Sequence, residues 1–356
     1  YENEKKELRE IKYVIQNYSA TLVVKADGGD LRRSLELKIK KVQKRSANIK
    51  SYNAKSILLL LKLEYCILIN EPRIFIRNGL KLKELILNNP AIYSDRRLIY
   101  IYNELSKIDI TRFGFDSALL YTQESLELLN GKKNLIFLAI ADIRVRIYYW
   151  KGNFLNSQKE LIAVLNLPII FNYQLRKTKF LFYQSIIDFK NKSYKNSLNS
   201  LNNLKQIEKD KEGWNVWIRI MRILCSIELL RLNLVDYDIE SFRKYIQRLS
   251  KDGNINPRVD LILKILMELD RANYNFKAVA LKRKVELQIL KKTTGKYKWD
   301  IKSPEMILFH DWFMAKMENR LYEANLDPYR KQVEKDEAKP LSKTKEKKYR
   351  SLGLIA

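Results

Sequence analysis

The chain has 356 residues, 46% apolar and 11% aromatic, with only 10 Gly and 7 Pro, and 68 Lys+Arg against 41 Asp+Glu give a formal charge of +27. So few turn-forming residues exclude a hairpin-rich sheet protein, and charged residues mixed throughout among apolar ones are what amphipathic helices require. The length accommodates two ordinary domains or one elongated repeat array.

Residues 1–56 read as N-terminal helices. Within them "GGDLRRSLELKIKKV" (28–42) is a candidate first repeat, with Leu31 standing where later units carry an aromatic residue. "DGGD" (27–30) lacks the ordered oxygen ligands of an EF-hand loop and reads as a break between helices. Apolar helical runs then recur as "ILLLLKLEYCILI" (57–69), "LIYIYNELSKI" (98–108), "IFLAIADIRVRIYYW" (136–150), "TKFLFYQSIIDFK" (178–190) and "WNVWIRIMRILCSIELLRL" (214–232). Six aromatics follow breaks, Phe75, Phe115, Phe154, Tyr194, Tyr237 and Phe276, at successive spacings of 40, 39, 40, 43 and 39 residues, and the first five each come after one of these runs. Ala118, Ser157 and Ser197 follow their aromatics by three positions, a small residue where two helices must approach closely. Pro90 and Pro168 stand where a proline would end the second helix of a pair.

A fixed period of about 40 residues marks a solenoid of helical hairpins, because a two-helix unit cannot bury its apolar stripe without stacked neighbours. The expectation is an all-α solenoid of about six or seven stacked antiparallel hairpins, with the repeats over 57–302. The stretch "YYWKGNFLNSQKELIAVLNLP" (148–168) is the clearest unit, with Tyr148 and Phe154 buried between helices and Gly152 in the turn.

This unit resembles the tetratricopeptide-repeat family, on Tyr148, Gly152, Phe154, Ser157, Leu161, Val164 and Pro168, with a second partial match through Phe115 and Ala118. The likeness covers roughly residues 57–290. It departs from the family in its longer period and in lacking the Trp-Leu-Gly signature of the first helix. The resemblance implies a right-handed superhelix with a concave partner-binding face and no enzymatic activity of its own. No carboxylate-clamp residues transfer to this sequence.

Residues 303–326, with Met306, Phe309, Phe313 and Met317 near helical spacing, read as a helix capping the array. Residues 327–356 carry nine basic residues and read as a basic extended or disordered tail.

Catalytic chemistry is mostly absent from the pattern. The one histidine, His310, has Asp311 beside it, a general-base reading weighed against an imidazole packed on an amphipathic helix. Cys66 and Cys225 sit in apolar runs and read as buried reduced thiols, and zinc-type ligand spacing does not occur. "TTGKYK" (293–298) shares only Gly295-Lys296 with a phosphate loop and reads as a turn. No enzyme, metal, cofactor or small-molecule substrate is expected. No run approaches the ~20 apolar residues that span a bilayer, and no stretch has the regions of a signal peptide, so the cytoplasm is the expected compartment.

Positive charge concentrates in two places. Residues 31–55 hold nine basic residues and one acidic, and residues 277–298 hold eight and one. One explanation is A/T-rich codon bias on a solvated surface. The other is a polyanion-binding surface, with Arg32, Arg33, Lys38, Lys40, Lys41, Lys44 and Arg45 in the first group and Lys282, Arg283, Lys284, Lys291 and Lys292 in the second. The functional expectation is an interaction scaffold for an acidic protein partner, and the alternative is an RNA- or DNA-associated basic solenoid, for instance part of a ribonucleoprotein particle.

Overall fold

The computed structural model describes residues 29–47, 51–208, 210, 213–251 and 256–355, so the first half of the N-terminal region named above lies outside the described residues. The described residues form seventeen α-helices and two 3-10 turns, with no strand among them. They divide into two compact units, Tyr1–Lys132 with Val333–Ala356, and Lys133–Gln332.

In the first unit α1 (Gly29–Ala47), α2 (Tyr52–Ile69), α3 (Pro72–Leu87), α4 (Asp95–Thr111) and α5 (Phe115–Leu129) pack each on the next. In the second, α6 (Leu135–Trp150), α7 (Phe154–Leu165), α8 (Gln174–Lys190), α9 (Tyr194–Asn202), α10 (Trp214–Glu228), α11 (Leu232–Lys251), α12 (Pro257–Arg271) and α13 (Phe276–Lys282) do the same. α14 (Lys284–Leu290) and α15 (Phe309–Met317) complete that unit. Asparagine side chains at 134, 153, 256 and 275 accept hydrogen bonds from the first free N–H groups of α6, α7, α12 and α13, and Pro72 and Pro257 open α3 and α12.

One turn geometry recurs. Asn70, Phe113, Gly152, Lys192, Leu230 and Asn273 all take positive φ. At each, the next residue's N–H donates to the carbonyl five positions back: Glu71 to Cys66, Gly114 to Asp109, Asn153 to Tyr148, Ser193 to Asp188, Arg231 to Ser226 and Tyr274 to Leu269, at 2.8–3.0 Å. This is the Schellman closure of a helix C-terminus, which satisfies carbonyls left without an intrahelical partner. The next helix starts two residues after the left-handed residue at the first five turns and three after it at the sixth. The left-handed positions are spaced 43, 39, 40, 38 and 43 residues apart.

Phe115, Phe154, Tyr194 and Phe276 each occupy the first residue of the second helix of a pair. Three residues on, Ala118, Ser157, Ser197 and Val279 are fully buried. The Ser157 hydroxyl donates to the Val145 carbonyl at 2.9 Å and the Ser197 hydroxyl to the Ser185 carbonyl at 2.8 Å, each reaching a residue twelve earlier on the partner helix. Ser106 makes the mirror bond to the Ala118 carbonyl at 2.9 Å, again across twelve residues. The small side chain therefore lets the helices approach and also bonds them to each other.

Two anchors sit elsewhere. Tyr237 is 74% exposed on the sixth residue of α11; Leu232 opens that helix and Val235, three residues on, takes the buried position. The aromatic after a break led the sequence pattern five residues too far. Phe75 is inside α3 at the buried position three residues after Pro72, which opens the helix. Tyr148 and Phe154 are half-buried rather than enclosed; the Tyr148 hydroxyl meets Arg144 at 3.1 Å, and the Phe154 ring stands edge-on to Tyr149 at 5.5 Å.

Helix α15 covers only Phe309–Met317 of the capping helix expected over 303–326, and left-handed Asn319 follows it. The rest of residues 299–326 is irregular and lies along the hairpin turns of its own unit. Trp299 meets Trp150 at 5.1 Å, the Tyr149 hydroxyl donates to the Met306 carbonyl at 2.8 Å, and Lys190 donates to the Tyr322 carbonyl at 3.0 Å. Trp312 donates to Glu228 at 2.7 Å, and Phe313 packs on Phe276 at 5.1 Å. Residues 327–356 also differ from the expected extended tail, forming α16 (Asp327–Ala338) and α17 (Lys343–Ser351). Composition averages hid this, because among the described residues of the segment only Tyr349, Leu352 and Leu354 bury fully, and these three enter the core of the first unit.

Candidate functional site

The first basic group lies on α1. Leu35 and Ile39 turn into the core, which sends Arg33, Lys40 and Lys44 to the opposite face at spacings of seven and four residues. All three are exposed, with Leu37, 68% exposed, between them and Lys41 alongside. Arg32 is drawn off toward Glu36 at 3.6 Å, Lys38 is half-buried, and the Arg45 side chain lies outside the described residues. The part of this group available to a partner is thus a basic stripe with one exposed leucine.

The second group is largely neutralised by its own neighbours. Lys282 and Arg283 both reach the buried Glu268, at 2.5 and 2.9 Å, and Arg283 also pairs with Glu286 at 2.8 Å. Lys284, Lys291 and Lys292 are exposed. Residues 293–298 form an irregular turn with no helix starting at its end, as the turn reading of "TTGKYK" expected.

Lys291 belongs instead to the rim of a half-open cavity of about 380 Å³, lined also by Asp311, Glu318, Arg320, Glu323 and Asn325. Its charges are partly spent on one another: Arg320 binds Glu318 at 2.6 Å, and Asp311 accepts from the Asn325 N–H at 2.8 Å. Behind it lies a buried ionic cluster that charge counting missed. Arg258 forms a forked pair with Glu305, at 2.5 and 2.8 Å, with both side chains almost fully enclosed, and donates to the Leu290 and Tyr297 carbonyls. A glutamate inside the apolar run "PEMILF" was the available signal.

His310 completes this cluster. It is 3% exposed, its Nδ1 lies 3.2 Å from an Arg258 nitrogen and its Nε2 lies 3.3 Å from Asp311. Arg258 has only protons to offer, so Nδ1 accepts and Nε2 carries the hydrogen toward Asp311. Burial, then the positive charges of Arg258 and Lys291, push the imidazole down to about 3. Such a ring is neutral at physiological pH and a weak proton acceptor, although it does touch Asp311 as the general-base reading required.

Burial likewise pushes the Cys66 and Cys225 thiols up to about 12, which removes thiolate reactivity near neutrality; both are free and enclosed. Among the described residues no three His, Cys, Asp or Glu side chains are placed to hold a metal ion, and no helix is long and apolar enough to cross a membrane.

No protein-family pattern matches the sequence, and no curated protein matches it. Among solved structures, the crystal structure of the apo form of RapI is similar in fold, with a TM-score of 0.57 and 14% identity over 94% of this chain and 84% of that one. That likeness and the all-helical structure fit a helical-repeat protein.

Proposed function

We propose that this chain is a non-enzymatic interaction scaffold, a tetratricopeptide-like right-handed solenoid that binds an acidic protein partner. The observation that carries the reading is the sixfold recurrence of one hairpin turn with a buried residue three positions into the following helix, small at three of the six (Ala118, Ser157 and Ser197). Stacked hairpins of this kind build a long surface without an enclosed reaction site. The RapI likeness supports the helical-repeat part of the reading. The neutral, buried His310 and the mutually paired charges around it favour a structural over a catalytic role.

The acidic character of the partner rests on the Arg33–Lys40–Lys44 stripe of α1, where exposed Leu37 adds an apolar contact that a protein uses better than a phosphate backbone does. The same stripe favours a second reading, association with RNA or DNA, whose binding falls steeply with salt. One experiment separates them: recovery of the tagged chain from its source cells at low salt, with and without nuclease. A protein that remains in fixed ratio after nuclease, and is lost when Arg33, Lys40 and Lys44 are changed to Glu, supports the scaffold. Material that disappears with nuclease supports the second reading, and recovery of the chain alone refutes both.

A further inference from the structure

Residues 343–355 return to the first unit and occupy a groove lined by α1, α2 and α3. Most of the groove's polar groups spend their hydrogen bonds on this one segment. Buried Glu71 accepts from the Tyr349 hydroxyl and from Lys345, both at 2.8 Å. Lys62, also buried, donates to the Gly353 carbonyl at 2.7 Å, while Arg77 and Asn78 donate to the Leu354 carbonyl at 2.5 and 3.2 Å. Beside them Lys348 reaches Glu36 at 2.7 Å, and Leu352 and Leu354 close the apolar floor with Leu61, Ile74 and Phe75.

The recognition is particular about sequence. Gly353 has φ +59 and closes the end of α17, the Leu354 N–H donating to the Tyr349 carbonyl at 2.9 Å. A Cβ there would stand 3.0 Å from both Gln43 Nε2 and Lys62 Nζ, the latter already engaged with the Gly353 carbonyl. Tyrosine, leucine, glycine and leucine at 349, 352, 353 and 354 are therefore each read by a distinct part of the groove.

We propose that this groove is a docking site for the Tyr-x-x-Leu-Gly-Leu segment, filled within one chain by residues 349–354 and between chains by the same segment of a second copy. On α1 this surface uses Glu36 and Gln43 and none of the exposed stripe Arg33, Lys40 and Lys44, so the proposal goes beyond the scaffold reading. Three observations lead to a second copy as the partner. The complementary segment is present in every copy, so exchange creates no new contact and loses none. Helix α17 is nine residues long with five Lys or Arg and one Glu, too short and too charged to persist undocked, so docked and released forms are discrete. Only residues 339–342, Lys-Pro-Leu-Ser, separate it from α16, a short hinge of the type that exchanges. Docking within one chain benefits from an effective concentration on the order of 1 mM, so exchange emerges as the protein approaches that range.

The test uses the full chain and a fluorescent synthetic peptide of residues 343–355. The expected result is saturable uptake of the peptide, and about tenfold weaker uptake of a peptide carrying Gly353→Ala, from the cost of a left-handed alanine. Sedimentation equilibrium should show a dimer that grows toward about 1 mM chain and is dissolved by saturating unlabelled peptide. No uptake, or equal uptake of the two peptides, overturns the groove. Uptake by a chain that stays monomeric over that range overturns the second copy and leaves another protein as the occupant. Since only the peptide is altered, misfolding of a variant chain cannot imitate either result.

Discussion

At the scale of single residues, Ser157 does two things at once: its size lets α6 and α7 approach, and its hydroxyl bonds to Val145. Ser157→Ala keeps the size and is expected to cost only about 1 kcal/mol, the net worth of the hydrogen bond. Ser157→Leu has no room and should cost about 1–3 kcal/mol or more, and denaturant titration of the two variants measures the difference. His310 makes a second prediction. Unfolded, its ring titrates near 6.5; folded, burial and the neighbouring Arg258 and Lys291 keep the proton off until about pH 3. The unfolded chain therefore takes the proton first, and stability present above pH 6.5 is lost as pH falls toward 3, by up to about 1.4 kcal/mol per pH unit. Asp311, raised mainly by burial, titrates in the opposite sense at the acid end of that window, so the comparison to make is between the parent and His310→Gln. The variant should have a flatter stability profile between pH 6.5 and 4; identical profiles would show the ring to be open to protons.

At the scale of elements, the hairpin turn requires a left-handed residue, and the chain supplies Asn, Phe, Gly, Lys, Leu and Asn at the six sites. Gly152 meets that demand at no steric cost, a Cβ there meeting nothing within 4 Å, and Asn70 and Asn273 meet it more cheaply than Phe113, Lys192 and Leu230 do. Gly152→Ala should therefore cost about 1 kcal/mol through backbone conformation alone. Lys192→Gly at the equivalent turn should go the other way, a gain of up to about 1 kcal/mol after the extra entropy of an unfolded glycine. Thermal unfolding of both variants tests the pair, and shifts of the same sign would mean the two turns are not equivalent.

At the scale of the molecule, charge is distributed by role. Arg258 and Glu305 are enclosed together, so Glu305→Ala strands a buried guanidinium and should cost about 3–5 kcal/mol in chemical denaturation. Lys282 is committed to Glu268, whereas Arg33, Lys40 and Lys44 stand exposed on one face of α1. A formal charge of +27 thus overstates the unpaired charge that the surface presents, and its location matters more than its sum.

The all-helical class, the first helices of the hairpins and the approximately 40-residue recurrence were legible in the sequence, because helical periodicity and breaks are local properties of the chain. "IFLAIADIRVRIYYW" at 136–150 and α6 at Leu135–Trp150 differ by one residue, since Asn134 caps one end and Gly152 closes the other. The register of two units was not legible: Pro72 rather than Phe75 opens α3, and Leu232 and Val235 perform the turn function that an aromatic performs elsewhere, with only the backbone conformation of Leu230 to distinguish them from Tyr237. Tertiary structure alone decided the fate of residues 299–355. Their contacts reach back by up to 291 residues, as from Gly353 to Lys62, and no local pattern records a pairing at that separation. It also decided which cations remain for a partner, because Glu268 lies 14 residues from Lys282 along the chain yet 2.5 Å away in space.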